Sequence, residues 1–248
     1  MKWRLRQVTA LVGDLERAVN EIHTRLGLLV SLRDDGTTAH DHGIANAWVP
    51  LGSTIVELAS PVRPGDATDR YHTRFGDGGY MIILQTDDFD AARDRLRRLG
   101  VRVTREISHP GAQEIHLDHR DVGGTFLAID WADPVDGWRW AGPDWVSFIR
   151  THVVTELCAA EMTTPDARSV AQQWATLLER TAEPSREGWV IELDRGTLRF
   201  VDGEGHGKGR LTAIDVARSP ATEPLGAMTL AGLTVRLVEP RSPEHWWA

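Results

Sequence analysis

Residues 78–134 read GGYMIILQTDDFDAARDRLRRLGVRVTREISHPGAQEIHLDHRDVGGTFLAIDWADP. GGYMIIL has the continuous apolar character of a buried strand. TDDFDAARDRLRRLG places Phe89, Ala92, Leu96 and Leu99 at steps of three and four, with acidic residues ahead and Gly100 just past the end, which predicts a helix. VRVTREI, QEIHLDHRD and GGTFLAIDW then read as three strands. The unit is therefore strand, helix, strand, strand, strand.

Weaker copies flank it, and a repeated unit governs the reading of a whole chain. In residues 1–62, RLRQVTALV reads as a strand. GDLERAVNEIHTRLG reads as a helix with the stripe Leu15, Ala18, Val19, Ile22 and Leu26 and with Gly27 at its end. LLVSLRDD, IANAWVPL and STIVELASP supply three more strands. Residues 63–77 are polar and rich in turn formers, as in a linker. Residues 135–151 form a second, Trp-rich linker. With Trp131 just ahead of it, its Trp138, Trp140 and Trp145 read either as filling between two halves or as walls of an aromatic pocket.

A third copy spans 152–202, with the strand VVTELCAAEM, the helix TTPDARSVAQQWATLLE started by Thr164 and Pro165, and the strands WVIELD and GTLRFVD. Residues 203–248 hold a degraded fourth copy and a tail, RSPEHWWA. There GRLTAIDVA, MTLAG and LTVRLVEP read as strands, but SPATEPLGA is too short and proline-broken for a helix. Spacing supports the repeat: Gln7 to Asp14, Met81 to Asp88 and Ala159 to Asp166 are the same seven-residue step. The fold class that follows is α+β, four tandem βαβββ units packed in pairs.

Composition narrows the function. The chain has 248 residues, a formal net charge of −8 and only two lysines, so it shows no basic face for nucleic acid. The single cysteine, Cys158, excludes an intramolecular disulfide and reads as a buried strand residue. No apolar run reaches about 18 residues, and MKWRLRQV lacks a signal-peptide core, so a cytoplasmic protein without a membrane span is expected.

The segments QVTALVGDLERA, WVPLGSTIVELASP, LQTDDFDAARDRLRRLGVRV and DHRDVGGTFLAIDW resemble the vicinal oxygen chelate superfamily, and within it the methylmalonyl-CoA epimerase-like branch. The resemblance covers the first 135 residues and extends to the rest only as a pattern. It implies that the paired units form two half-barrel domains, in which the first and last strands of each unit carry four inward positions for a divalent metal. Those positions fall here on Gln7, Glu57, Met81 and, depending on the count, Ala128 or Asp130. Met81 is a poor ligand for Mg, Mn or Zn, and Ala128 supplies none. A metal-free pocket is therefore expected, with a divalent metal at Gln7, Glu57 and Asp130 as the alternative. The second half lacks the two histidines and glutamate that extradiol dioxygenases need.

The resemblance implies proton abstraction beside a carbonyl in a small oxygenated substrate (an oxo acid, an acyl-CoA-like ester or an aromatic ketone), hence an isomerase, epimerase or lyase. Glu57 is the candidate base, and Gln7 would orient the carbonyl oxygen. His116, flanked by Ile115 and Leu117, points opposite to both and is a second acid–base candidate. Met81, Ala128, Asp130 and Trp131 are candidate pocket residues, as is His72, whose neighbour Arg74 could bind an anion. The HDH triplet at 40–42 is a weaker site. The rival function is a non-catalytic binder of bleomycin-resistance type. A small-molecule ligand is the partner expected, and the protein would be a monomer or homodimer.

Overall fold

The computed structural model describes residues 1–36, 43–204, 208–222 and 226–240. The HDH triplet and the C-terminal RSPEHWWA lie outside them. The first unit comprises β1 (Trp3–Leu11), α1 (Leu15–Leu26), β2 (Leu32–Asp34), β3 (Ile44–Leu51) and β4 (Thr54–Pro61). After α2 (Ala67–Phe75) come β5 (Gly78–Thr86), α3 (Phe89–Leu99), β6 (Val103–His109), β7 (Ala112–Leu117) and β8 (Phe126–Ala132). The third unit comprises β9 (Val154–Thr164), α4 (Ala167–Leu178), β10 (Glu183–Ser185), β11 (Gly188–Glu192) and β12 (Thr197–Asp202). The fourth keeps β13 (Arg210–Arg218), β14 (Ala227–Leu230) and β15 (Leu233–Val238), with no helix among its described residues.

The helices start where the spacing put them. Asp14, Asp88 and Asp166 each cap a helix, accepting a hydrogen bond from the backbone N–H three residues on. For α4 this moves the cap from Thr164, which is still strand, to Asp166. Gly27 and Gly100 end α1 and α3 in the left-handed region, where a side chain would be strained. The stretch read as a linker at 63–77 differs from expectation, because α2 lies within it. Its only fully buried residue is Thr68, so it carries too little apolar periodicity to announce itself.

Two sheets result. One runs β2-β3-β4-β1-β5-β8-β7-β6, the other β10-β11-β12-β9-β13-β15-β14. In each, two units join edge to edge through antiparallel pairing of their first strands, β1 with β5 and β9 with β13. Within every unit the last strand returns parallel to the first.

The sheets pack through one shared core that includes Val8, Ala10, Ile82 and Leu84 from the first and Leu157, Met162 and Ile214 from the second. Backbone contacts fasten the seam. Leu5 N donates to Arg195 O at 2.9 Å, and Gly209 N donates to Gly123 O at 2.7 Å. Each fully buried Leu, Ile or Val contributes about 1.5–3 kcal/mol and each such hydrogen bond about 1 kcal/mol, so the apolar seam dominates. Cys158 on β9 is half-buried rather than fully buried. No helix among the described residues is long and apolar enough to cross a membrane.

Candidate active site

Strand alternation turns Gln7, Thr9, Ile55, Glu57, Met81 and Ile83 to the inner face of the first sheet. Thr9 lies opposite Glu57 on one side and opposite Met81 on the other. Across the same sheet, β7 sets Glu114 beside Asp130 and His116 beside Ala128. A cavity of about 300 Å3 opens over this face, bounded by Gln7, Glu57, Met81, Glu114 and His116 together with Trp48, Tyr80, Arg105 and Trp140.

Glu57 sits at the centre of its polar network. Its Oε2 accepts a hydrogen bond from Thr9 Oγ1 at 2.6 Å and another from Gln7 Nε2 at 2.8 Å. Burial nonetheless dominates and, with the charge of Glu114 adding to it, pushes the Glu57 carboxyl up to about 7. Glu114 Oε1 meets His116 Nε2 in a short hydrogen bond that fixes the imidazole over the cavity. Both are near enough for their charges to act on Glu57.

The Trp-rich segment decides how the rest of the inner face is used. It forms two short 3-10 turns, Arg139–Ala141 and Trp145–Phe148, that plug the curl of the first sheet. Trp138, Trp145 and Ala141 pack with Ile55, Met81, Ile83 and Ala128 in a second apolar cluster. Two buried arginines anchor the plug. Arg6 donates to the carbonyls of Ser53 (2.6 Å), Asp136 (3.1 Å) and Gly137 (3.4 Å), with its guanidinium 4.6 Å from the Trp138 ring. Arg4 donates to Gln85 Oε1 at 2.8 Å and Asp136 Oδ1 at 3.1 Å. The plug then takes up two inner positions directly. Trp138 Nε1 donates to Gln7 Oε1 at 2.8 Å, and Trp140 Nε1 donates to Asp130 Oδ2 at 2.7 Å.

These contacts test the fit of a divalent ion. The Gln7 amide is committed on both sides, Met81 offers a thioether, and Asp130 is sealed behind Trp140. Burial, then the charge of Glu114, holds the Asp130 carboxyl well above its ordinary range, which favours the neutral acid. Its Oδ1 has no hydrogen-bond partner, yet one buried carboxyl is not an open set of hard ligands. As arranged, the four positions do not fit such an ion, and no group of three His, Cys, Asp or Glu among the described residues does.

Of the residues singled out in the sequence, Gln7, Glu57, Met81 and His116 come together at the cavity. Ala128 and Asp130 share that face but lie beneath the plug, fully buried. Trp131 is turned to the opposite face, against the main core, because it neighbours Asp130 on a strand. His72 lies elsewhere: its Nε2 is 2.7 Å from Asp77 Oδ1, beside Gly13. Thr9, Glu114 and Arg105 were not singled out, and Trp140 was read as one of three rings that either fill the join between halves or wall a pocket. Glu114 was within reach of alternation, two residues before His116, whereas Trp140 needed the path of the plug.

Among the described residues the second half-barrel holds no counterpart. Register places Arg199 opposite Glu161 and Asp215 opposite Arg236, as Glu57 is opposite Thr9 and Ile83 opposite Ala128 in the first. These four form a closed ring of ion pairs, Arg199 and Arg236 each contacting both Glu161 and Asp215. The ring satisfies its own charges.

A sheet curled from two βαβββ units, with polar side chains on its inner face, is the architecture of vicinal oxygen chelate proteins. Residues 8–178 match the glyoxalase-like domain family, and the chain belongs to that family. It is 30% identical over 132 residues to the ethylmalonyl-CoA/methylmalonyl-CoA epimerase of Cereibacter sphaeroides, which is 51% of this chain and 96% of that protein. It is 29% identical over 133 residues to the mitochondrial methylmalonyl-CoA epimerase of Homo sapiens, 52% of this chain and 74% of that one. The crystal structure of a hypothetical protein from Staphylococcus aureus, 13% identical, superposes with a TM-score of 0.71 over 96% of this chain and 100% of that chain. The two-sheet fold thus recurs as a whole.

Proposed function

We propose that the first half-barrel is the active site of an epimerase or isomerase. It would move a proton on the carbon beside a carbonyl in a small oxygenated substrate, of which an acyl-CoA-like ester is the form suggested by the epimerase relatives. The observation that carries this reading is a half-buried carboxyl, Glu57, pushed up to about 7 by desolvation, lining a cavity that also presents a carboxylate-fixed histidine. A base poised near neutrality both accepts and returns a proton with little driving-force penalty. Glu57 would take the proton from one face of the carbon. His116, oriented by Glu114, would deliver a proton from the other, and the pair would exchange roles in the reverse direction. Gln7 keeps one amide hydrogen beyond the one given to Glu57, and it would steady the carbonyl oxygen as charge builds there. No metal enters any of these steps.

The competing reading is a pocket that only sequesters a flat ligand, favoured by the Trp48, Trp140 and Tyr80 rings on its walls. Incorporation of solvent deuterium separates the two. Methyl-branched acyl thioesters, 2-oxo acids and aryl ketones would be incubated with the protein in D2O and followed by NMR. Exchange beside the carbonyl, reduced about 10²–10⁴-fold by Glu57→Gln, supports catalysis. Binding without exchange of any of the three classes makes the site a sequestering pocket.

A further inference from the structure

A second concavity of about 490 Å3 lies beside the reaction cavity, walled by α2, the start of β8 and the segment entering β13. Its floor is a run of aromatic rings in tilted and edge-on contact. Centroids are 4.6 Å apart for Tyr71 and Phe75, 5.1 Å for Tyr71 and Tyr80, and 4.6 Å for Tyr80 and Phe126. All four rings are only half-buried. The rim carries Arg70, Arg74, Lys208 and Arg210, and no Asp or Glu among the described residues lines the groove. In a chain of net charge −8 this is a local reversal of sign.

The rim is assembled from both halves of the molecule. Arg210 donates to the carbonyls of Phe75 (2.8 Å), Gly76 (3.2 Å) and Asp77 (3.2 Å), so its charge is held at the end of α2. Arg74 lies 5.0 Å from the Phe75 ring. Lys208 is positioned by its neighbour, because Gly209 N donates to Gly123 O at 2.7 Å. A Cβ on Gly124 would stand 2.6 Å from Gly209 N, so the GG pair of DVGGT is what lets this segment lie across the turn. Cations are thereby gathered around a half-buried aromatic floor.

We propose that this groove is a binding site for a small planar aromatic molecule carrying two or more negative charges, a mononucleotide being the fitting class. A base would lie against the rings, and charge-assisted hydrogen bonds from Arg74 and Lys208 would hold the phosphates. A volume of about 490 Å3 suits one such ligand. The acidic charge of the whole chain opposes a nucleic-acid strand. Tyr80 also walls the reaction cavity, so the two sites share a ring. The proposal does not depend on Glu57 acting as a base.

Calorimetry on the full chain tests it, with ADP, adenosine and tripolyphosphate as probes. ADP should bind more tightly than either adenosine, which lacks the charge, or tripolyphosphate, which lacks the ring. Its affinity should fall at least about tenfold in the double variant Arg74→Glu/Lys208→Glu and stay unchanged in Glu57→Gln. Both reversed residues are exposed, so an unfolding midpoint close to wild type would show that the fold is kept. No measurable ADP binding to the wild type, or equal binding to the double variant, overturns the proposal. Equal affinity for ADP and tripolyphosphate overturns the aromatic part of it.

Discussion

At the scale of single residues, Glu57 joins function to stability. Its carboxyl rises from an ordinary 4.5 to about 7 because burial outweighs the two hydrogen bonds it accepts. The native state therefore binds a proton more tightly than the unfolded chain does. Stability falls as pH rises from about 4.5 to about 7 and levels off above, a change worth about 3 kcal/mol. Glu57→Gln removes this titration, so urea unfolding should find the variant gaining on wild type by roughly that amount between pH 4.5 and pH 8. A constant difference across the range would show that Glu57 does not titrate there. Because only the carboxylate can accept a proton, exchange by the wild type should rise with pH to a plateau with a midpoint near 7. A rate that is flat from pH 5 to pH 8 would remove Glu57 as the base.

At the scale of elements, the plug between β8 and β9 sets the shape of the site. Trp140 supplies the one hydrogen bond found for the buried Asp130 side chain, whose other oxygen is already without a partner. Trp140→Phe keeps most of the ring and leaves the whole carboxyl unsatisfied. It should cost about 1–3 kcal/mol in chemical denaturation, while the double variant Trp140→Phe/Asp130→Asn should not recover wild-type stability. The helices behave more simply. Asp88→Ala removes the side-chain acceptor for Ala91 N, and a loss of about 1 kcal/mol is expected in the same measurement.

At the scale of the whole molecule, the seam between the sheets joins the two half-barrels through a shared apolar core. Gly79 is one of its tight points, since a Cβ there would stand 2.2 Å from Leu211 O, a backbone atom that cannot swing aside. Gly79→Ala should force β5 away from β13 at a cost of about 1–3 kcal/mol. Calorimetry should show the loss in the main transition rather than as a separate unfolding of one half. Specialisation follows from the same architecture. One inner face keeps a cavity around Glu57, while the other is closed by the ring of Arg199, Asp215, Arg236 and Glu161.

Much of this was legible from the chain alone because it is local. The 3.6-residue stripes, the seven-residue step to Asp14, Asp88 and Asp166, and strand alternation set the elements and turned Gln7, Glu57 and His116 inward. The family resemblance singled out Gln7 and Glu57 among the inward residues. Alternation fixes which face a side chain takes but not what lies over it. That Asp130 and Ala128 are sealed, that Trp131 faces the core and that Arg4 and Arg6 are buried follow from where the plug runs. How the units pair, and the joining of α2 to the β13 segment in a cationic groove, also depend on contacts between residues far apart in the sequence. Periodicity records the environment of a residue along its own element, whereas those contacts are chosen by the shape of the assembled surfaces.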